Sequence, residues 1–215
     1  MDYSNFKGWQ EALYVFLDET YDSLIKNDID WAIIGSVATY LQKCKITPKD
    51  VDIIVKDAKS VYFISELLKN FRDEKSIESF LEESDEEVWF SSKEKLVDES
   101  VDQFGFKWVF ARFLIDNARV EIAHITAPID SKILTEGIWE AGPKIWPHIK
   151  KIPYISADIP VVPLEIQLNT NFNRGLIERV DHIISIFKEN NCNEELVKTA
   201  LTKQNYQKFL DKIKK

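Results

Sequence analysis

The sequence predicts an α+β fold, in which helices pack against a small mixed β-sheet and a C-terminal helical region follows. Hydrophobic residues make up 45% and aromatic residues 12% of the 215 residues, which is enough for a packed core and excludes a mainly disordered chain. Short β-branched runs alternate with segments of helical periodicity in the N-terminal half, whereas the C-terminal segments show helical periodicity alone. This order of patterns is typical of the α+β class.

Helix and strand patterns alternate along the first part of the chain. Apolar residues at helical spacing predict a helix from Trp9 to Asn27, and Trp31–Ile34 is a short apolar strand pattern. A turn at Gly35–Ser36 follows, and we expect Ser36 to lie near the N-cap of the next helix. The run Val51–Val55 then predicts a strand, and residues 59–71 predict a helix.

A β-hairpin is predicted in the middle of the chain. Two strand-like runs, Phe104–Ile115 and Val120–Ile125, are separated by Asp116–Arg119, which begins with the turn-forming pair Asp-Asn. The preceding acidic run at residues 82–87 is predicted to be a solvated face or loop.

Prolines divide residues 128–163 into short pieces and place a soft boundary after residue 127. Beyond them, helical periodicity predicts helices over 176–189 and 194–213. We therefore expect residues 1–127 to form the sheet domain with its N-terminal helix. Residues 128–215 are predicted to form a proline-punctuated linker and the C-terminal helical region, packed on the first part as one compact unit.

Charge and cysteine content narrow the classes of function. The formal net charge is −8, which argues against a generic duplex-DNA binder that neutralises phosphates. No apolar run approaches the roughly 18–20 residues of a membrane span, so we expect no membrane association. Cys44 and Cys192 lie far apart without a CxxC motif, which favours two reduced thiols in a cytoplasmic protein.

Three acids are candidate metal ligands. Asp50 and Asp52 are two positions apart in a strand pattern, so their side chains point to the same face. Two adjacent carboxylates repel unless they are solvated or a cation neutralises them, and Mg²⁺ prefers such oxygen ligands. Glu121 occupies a polar position of the strand after the hairpin turn, and three acids converge if that strand lies beside the first. The alternative for Glu121 is a solvent-facing residue paired with Arg119 or with a cross-strand lysine.

The Gly-Ser turn is a candidate phosphate site. Gly35 lets the backbone approach a ligand closely, and a helix N-terminus offers unpaired N–H groups to phosphate oxygens. Ser36 adds a hydroxyl group at the same place. The alternative is an ordinary strand-to-helix turn with a serine cap.

Together these features form a family pattern: Ile34-Gly35-Ser36, a spacer of thirteen residues, Asp50-Val51-Asp52, and a later strand acid, Glu121. Over about residues 31–125 the sequence resembles the nucleotidyltransferase superfamily, which includes DNA polymerase beta. Within it, the pattern is most similar to small aminoglycoside- and lincosamide-nucleotidyltransferase-like members and to toxin-like members. One difference is that the third acid is Glu, where Asp is more frequent.

The resemblance implies a role for each of these residues. Asp50 and Asp52 would hold two Mg²⁺ ions that grip the NTP triphosphate, and Glu121 would complete the second-metal site as a third catalytic residue. Gly35 and Ser36 would contact the phosphates. Two arginines in a later segment, Arg174 and Arg179, are further candidates for triphosphate binding, with a charged surface helix as the alternative.

The expected activity is therefore transfer of NMP from an NTP, ATP first among them, to a hydroxyl group of a small-molecule or macromolecular acceptor. A possible homodimer or a small helical partner protein is also expected. The alternative is a catalytically inactive nucleotide- or partner-binding module of the same fold, for example part of a toxin–antitoxin pair. A purely structural acidic protein is the third hypothesis.

Overall fold

The computed structural model describes residues 8–72, 74–84, 88–155 and 157–214. The chain divides into two compact units made of alternating segments. Unit 1 contains Met1–Trp31 and Pro48–Ile125, and unit 2 contains Ala32–Thr47 and Thr126–Lys215. Helices accompany both parallel and antiparallel strand pairs, so the predicted α+β class is confirmed.

The secondary-structure elements are as follows. The helices are α1 Trp9–Lys26, α2 Gly35–Leu41, α3 Ala58–Leu67, α4 Glu74–Ser84, α5 Leu164–Asn173, α6 Ile177–Asn190, α7 Glu194–Ala200 and α8 Lys203–Ile213. The strands are β1 Trp31–Ile34, β2 Asp50–Val55, β3 Asp98–Val101, β4 Lys107–Ile115, β5 Ala118–Thr126, β6 Lys150–Tyr154 and β7 Ala157–Val161. Two short 3-10 helices, Lys132–Leu134 and Pro143–His148, precede β6.

Unit 1 is built around four strands in the order β3-β4-β5-β2. β2 pairs with β5 in parallel, and β3 pairs with β4 antiparallel. The predicted first helix is confirmed as α1, which buries Leu13, Phe16 and Leu24 completely. The ring of Phe16 lies edge-on to that of Trp31, with centroids 5.7 Å apart, so that α1 is fixed to the start of β1.

The predicted hairpin is also confirmed, with β4 and β5 as its strands. Asp116 and Asn117 both have positive φ angles, of 47° and 58°. Two successive residues in this region are typical of the type I′ turn, whose twist matches that of the flanking strands. The turn is also tied to the start of α1, because the Gly8 N–H donates to Asp116 Oδ2 at 2.7 Å.

Two elements of unit 1 were not predicted. β3 is short and largely exposed, and it lacks an alternation of apolar residues. α4 contains the start of the acidic run, and Glu82 is exposed on it, as predicted for a solvated face. Residues 85–87 of that run lie outside the described residues.

Unit 2 contains three strands in the order β1-β7-β6. β1 pairs with β7 in parallel at Ile33 and Val161, and β6 pairs with β7 antiparallel. The proline-rich stretch thus supplies two strands that were not predicted from the sequence. Pro153 lies in β6, which is an edge strand, where a residue without an N–H group is tolerated.

Helices α5 to α8 enclose a hydrophobic core in unit 2. Leu168, Phe172, Ile183, Phe187 and Phe209 are buried there, together with the cysteine Cys44. The predicted helix over 194–213 is wrong as a single element, because the chain breaks between α7 and α8. The side chain of Thr202 accepts a hydrogen bond from the Asn205 N–H at 3.2 Å and begins a new helix. Helical periodicity continues across this break, which is why the pattern did not indicate it.

Candidate active site

The Asp-x-Asp pair lies at the beginning of β2. Asp50 and Asp52 are half-buried, whereas Val51 between them is fully buried. The alternation of side chains along a strand explains this difference and places both carboxylates on the same face. The strand forms here because four of its six residues are β-branched and apolar.

Glu121 lies beside this pair on β5. The parallel register places Asp52 opposite Glu121 and Asp50 opposite Arg119. Val120 and Ile122 are fully buried on the other face of β5, so Glu121 shares the face of the two aspartates. The register therefore places three acidic residues on one face of two neighbouring strands in unit 1.

Two arginines compensate the charge of these acids. Arg119 Nη2 lies 3.2 Å from Asp50 Oδ2, and Arg112 Nε donates to Glu121 Oε1 at 2.8 Å. Arg112 is held firmly, because its Nη1 donates to the Trp89 carbonyl oxygen at 2.8 Å. The guanidinium carbon of Arg112 also lies 5.6 Å from the centroid of a phenylalanine ring of β4. The cross-strand partner of Glu121 is therefore an arginine, Arg112, and not the lysine considered as an alternative.

The carboxylates suit Mg²⁺ by their chemistry, since this ion takes oxygen ligands and is usually held by one or two carboxylates. In the part of the chain that the structure describes, however, no group of three or more His, Cys, Asp or Glu side chains is arranged to hold a metal ion. A cation bound here would replace at least one guanidinium group as the charge partner.

The Gly-Ser turn lies in unit 2, between β1 and α2. Gly35 has a φ of +62°, a region that favours glycine, and α2 begins at this residue. Ser36 is the second residue of α2 and so lies near its N-cap, as predicted, but the alternative of a serine cap is wrong, because Ile34 occupies the N-cap and no side chain caps the helix. The Ser36 side chain is buried instead, and its Oγ has no hydrogen-bond partner among the described residues.

Glu140 is the central residue of this region, and the sequence analysis did not identify it. Its side chain is only 8% exposed. Its carboxylate accepts hydrogen bonds from the Gly35 N–H and the Thr170 hydroxyl group, and the charges of Arg174 and Arg179 act on it. Burial raises the pKa of Glu140 to about 7, although these four groups act in the opposite direction.

The four residues predicted to contact phosphates are therefore grouped around one buried acid. Gly35 bonds to Glu140, Ser36 follows Gly35, and the two arginines are within electrostatic range. The available signal was weak: Glu140 stands in the otherwise apolar run Ile138-Trp139-Glu140-Ala141. An acid in such a run is either exposed at a bend or buried with partners, and sequence alone does not distinguish the two.

Comparison with solved structures gives a match along both units. A protein of Thermotoga maritima, with a provisional assignment as a nucleotidyltransferase, is 21% identical with a TM-score of 0.51, and the match covers 87% of this chain and 99% of that one. The chain has the nucleotidyltransferase fold. This result confirms the resemblance that the Gly-Ser turn and the Asp-x-Asp pair indicated.

Two further structures with nucleotidyltransferase descriptions match less well. The lincomycin-bound lincosamide antibiotic adenylyltransferase LnuA is 14% identical over 85% of this chain and 99% of that one, with a TM-score of 0.41. An antigenic nucleotidyltransferase-like protein from Paracoccidioides brasiliensis is 13% identical over 93% and 84%, with a TM-score of 0.36. No protein-family model and no curated protein sequence matches the chain.

The nucleotidyltransferase fold alone does not assign roles to side chains. The roles of Asp50, Asp52 and Glu121 as catalytic metal ligands stay predictions, and so does phosphate binding by the residues around Glu140. In the described part of the chain, no helix has the length and apolar character needed to cross a bilayer.

Proposed function

We propose that the chain is a metal-dependent nucleotidyltransferase, which transfers NMP from an NTP such as ATP to a hydroxyl group of a small-molecule or macromolecular acceptor. The observation that carries this proposal is the placement of three acidic residues on one face of β2 and β5 in a chain with the nucleotidyltransferase fold. When bound, two Mg²⁺ ions would neutralise the triphosphate and the leaving pyrophosphate.

The acids of unit 1 would divide the work between them. Asp50 and Asp52, both on one strand, would hold the metal ions. Glu121 would complete the second metal site and accept the proton of the acceptor hydroxyl group as it attacks the α-phosphate. Arg112 and Arg119 would hold the Glu121 and Asp50 carboxylates in position before the metal binds.

The group around Glu140 would serve the phosphates. The Gly35 N–H and the guanidinium groups of Arg174 and Arg179 can donate hydrogen bonds to phosphate oxygens. The Ser36 hydroxyl, which has no partner among the described residues, is a further donor. Glu140 now accepts the hydrogen bond of the Gly35 N–H. With a pKa of about 7, about half of the Glu140 side chains are neutral near pH 7, which reduces the repulsion of an incoming anion.

The alternative is a nucleotide- or partner-binding module that has lost catalysis, for example part of a toxin–antitoxin pair. One observation favours it: Asp50 and Glu121 already have arginine partners. The two functions differ in whether the acids exchange these arginines for Mg²⁺.

Thermal unfolding with each of the four NTPs, with and without Mg²⁺, tests the proposal. A nucleotide that binds only the folded chain at 100 times its Kd adds about 2.7 kcal/mol, which is a rise of about 5 °C in Tm for a chain of this size. We expect this rise to require Mg²⁺ and to be lost in Asp52→Asn. Transfer of labelled NMP to a panel of hydroxyl compounds should be lost in the same variant.

A matched control is Asp18→Asn, since Asp18 is an exposed acid of α1 in the same unit. It removes the same charge and should leave both measurements unchanged. An Asp52→Asn variant that retains Mg²⁺-dependent NTP binding and transfer would contradict the proposal. Mg²⁺-dependent binding without transfer to any acceptor would favour the inactive module.

A further inference from the structure

A cavity lies in unit 2, among residues to which the proposed reaction gives no role. It has a volume of about 820 Å³, and its walls include Lys132, Glu136, Gly137, Asn169 and Lys203. This volume is within the range of about 300–1,000 Å³ that is typical of small-molecule sites. The cavity therefore has room for an organic ligand.

The most informative residue in its wall is Asn169, which is only 3% exposed. Asn169 Oδ1 accepts hydrogen bonds from the Thr202 N–H at 3.2 Å and from Asn205 Nδ2 at 2.9 Å. Because both partners are donors, they fix which end of the amide is oxygen. The Nδ2 group has no hydrogen-bond partner among the described residues, although the side chain is buried and lines the cavity.

Gly137 keeps the space beside this amide open. Its φ is +78°, and a Cβ at this position would lie 3.1 Å from Asn169 Nδ2 and 2.5 Å from the Ala200 carbonyl oxygen. Any other residue would press on the backbone of α7 and cover the amide. The glycine thus leaves the unpartnered N–H groups of Asn169 accessible from the cavity.

The N-terminus of α8 opens into the same cavity. Thr202 caps this eleven-residue helix: its Oγ1 accepts a hydrogen bond from the Asn205 N–H, and its carbonyl oxygen accepts one from the Tyr206 N–H. The N–H groups of the first two helical residues, Lys203 and Gln204, have no acceptor within the helix, and both residues line the cavity. The helix dipole adds a partial positive charge at this end.

The side-chain charges in the walls have the same sign on balance. Lys132 and Lys203 carry positive charges, and Glu136 carries one negative charge. The cavity is therefore locally basic in a chain whose formal net charge is −8. Ile133 and Leu201 provide apolar contacts for the body of a ligand.

We propose that this cavity binds a small organic phosphomonoester, with its phosphate at the N-terminus of α8 and against the Asn169 amide. Hydrogen-bond donors come from the backbone N–H groups, the Asn169 amide and Lys203. They are more than the two oxygens of a carboxylate use, whereas a phosphomonoester has three terminal oxygens to accept their hydrogen bonds. The site is separate from the proposed nucleotidyl-transfer residues, and its occupation does not depend on Mg²⁺.

Titration with glycerol 3-phosphate tests the site, with inorganic phosphate and glycerol as the comparison probes. Binding is followed by calorimetry and by the side-chain amide signals of Asn169 in ¹H–¹⁵N spectra. Asn169→Asp keeps the acceptor oxygen for Thr202 and Asn205 but replaces the N–H donors by a negative charge. We expect it to weaken binding at least tenfold, and Lys203→Gln to weaken it several-fold.

The matched control is Lys198→Gln, an exposed lysine on α7 outside the cavity, which should bind as the unchanged chain does. Asp52→Asn should also retain binding, so that failure of the proposed nucleotidyl transfer and failure of this site are distinguishable. If Asn169→Asp does not fold, the Lys203→Gln variant alone tests the proposal, since Lys203 is exposed. The proposal is overturned if millimolar glycerol 3-phosphate does not bind, or if Lys203→Gln leaves its binding unchanged.

Discussion

Arg112 is the residue on which the state of the proposed metal site depends most directly. Its guanidinium group joins Glu121 to the Trp89 carbonyl oxygen, and its position over aromatic rings limits its movement. Because the guanidinium group already compensates the charge of Glu121, the carboxylate is less available to another cation. Arginine and Mg²⁺ therefore compete for Glu121 under the proposed function.

Removing this arginine should strengthen metal binding while it weakens the fold. We expect Arg112→Gln to raise the Mg²⁺ affinity several-fold in a calorimetric titration. The same change should lower the free energy of unfolding by about 1–2 kcal/mol, because hydrogen bonds to a charged group are lost. Lys56→Gln is the control, since it removes a cation from an exposed ion pair with Asp30. An unchanged Mg²⁺ affinity in Arg112→Gln would show that the two cations do not compete.

Glu140 should give the chain a characteristic dependence of stability on pH. Burial raises its pKa from 4.5 to about 7 in the folded chain, so the folded state holds a proton that the unfolded state releases between these values. Stability should therefore fall as pH rises from about 4.5 to 7, by up to about 3 kcal/mol. Glu140→Gln removes this contribution. Urea unfolding at several pH values should show the variant gaining stability relative to the unchanged chain across this window, and parallel curves would contradict the prediction.

At the scale of elements, the turn between β4 and β5 sets the position of the charged residues. Arg112 lies on the strand before the turn, and Arg119 and Glu121 lie on the strand after it. A change of register by one residue would move every side chain of a strand to the other face. The geometry of Asp116–Asn117 therefore determines whether Glu121 faces the aspartates of β2.

The conformation of Asn117 supplies a direct test of this turn. Its φ of 58° is costly for most residues but not for glycine. We expect Asn117→Ala to lower the free energy of unfolding by about 1 kcal/mol, and Asn117→Gly to leave it unchanged or slightly higher. Denaturant unfolding of both variants checks this. Equal losses in the two would indicate that the side chain of Asn117, and not its backbone conformation, stabilises the turn.

Elements whose pattern is local were predictable from the sequence. The hairpin was predicted because Asp-Asn between two β-rich runs is a turn signal in itself, and α1 was predicted because its apolar face recurs at helical spacing. The break between α7 and α8 was not, because the Thr202 cap interrupts a periodicity that continues on both sides. The strands β6 and β7 were not predicted either, because prolines interrupt their sequence pattern and their pairing is seen only in the structure.

For the molecule as a whole, the fold was predictable and the surroundings of the site were not. The order of the Gly-Ser turn, the Asp-x-Asp pair and the later strand acid was sufficient to indicate the nucleotidyltransferase fold. The arginine partners of the acids and the burial of Glu140 depend on contacts between distant segments, such as that between Gly35 and Glu140. Such contacts between distant segments cannot be inferred from a single sequence.

Cys44 should report on the opening of the core of unit 2. Its side chain belongs to that core, and burial raises the pKa of its thiol to about 11. Because the thiolate is the reactive form, alkylation by iodoacetamide at pH 8 should be about a hundredfold slower than for a thiol of ordinary pKa. Mass spectrometry in rising urea should show Cys44 becoming reactive only as the chain unfolds. Rapid alkylation of Cys44 without urea would show that this core opens readily.

The alternation of the two units along the chain has a consequence for synthesis on the ribosome. β1 pairs with β7 at Ile33 and Val161, so the earlier strand emerges 161 − 33 = 128 residues before its partner. At roughly 5–20 residues per second, this delay is about 6–26 s. Unit 1 can meanwhile fold, because it is complete at Ile125, whereas residues 32–47 stay unpaired within their own unit. The nascent chain therefore carries an apolar strand without its β7 partner for seconds, and the demand for chaperones should be greatest in that interval.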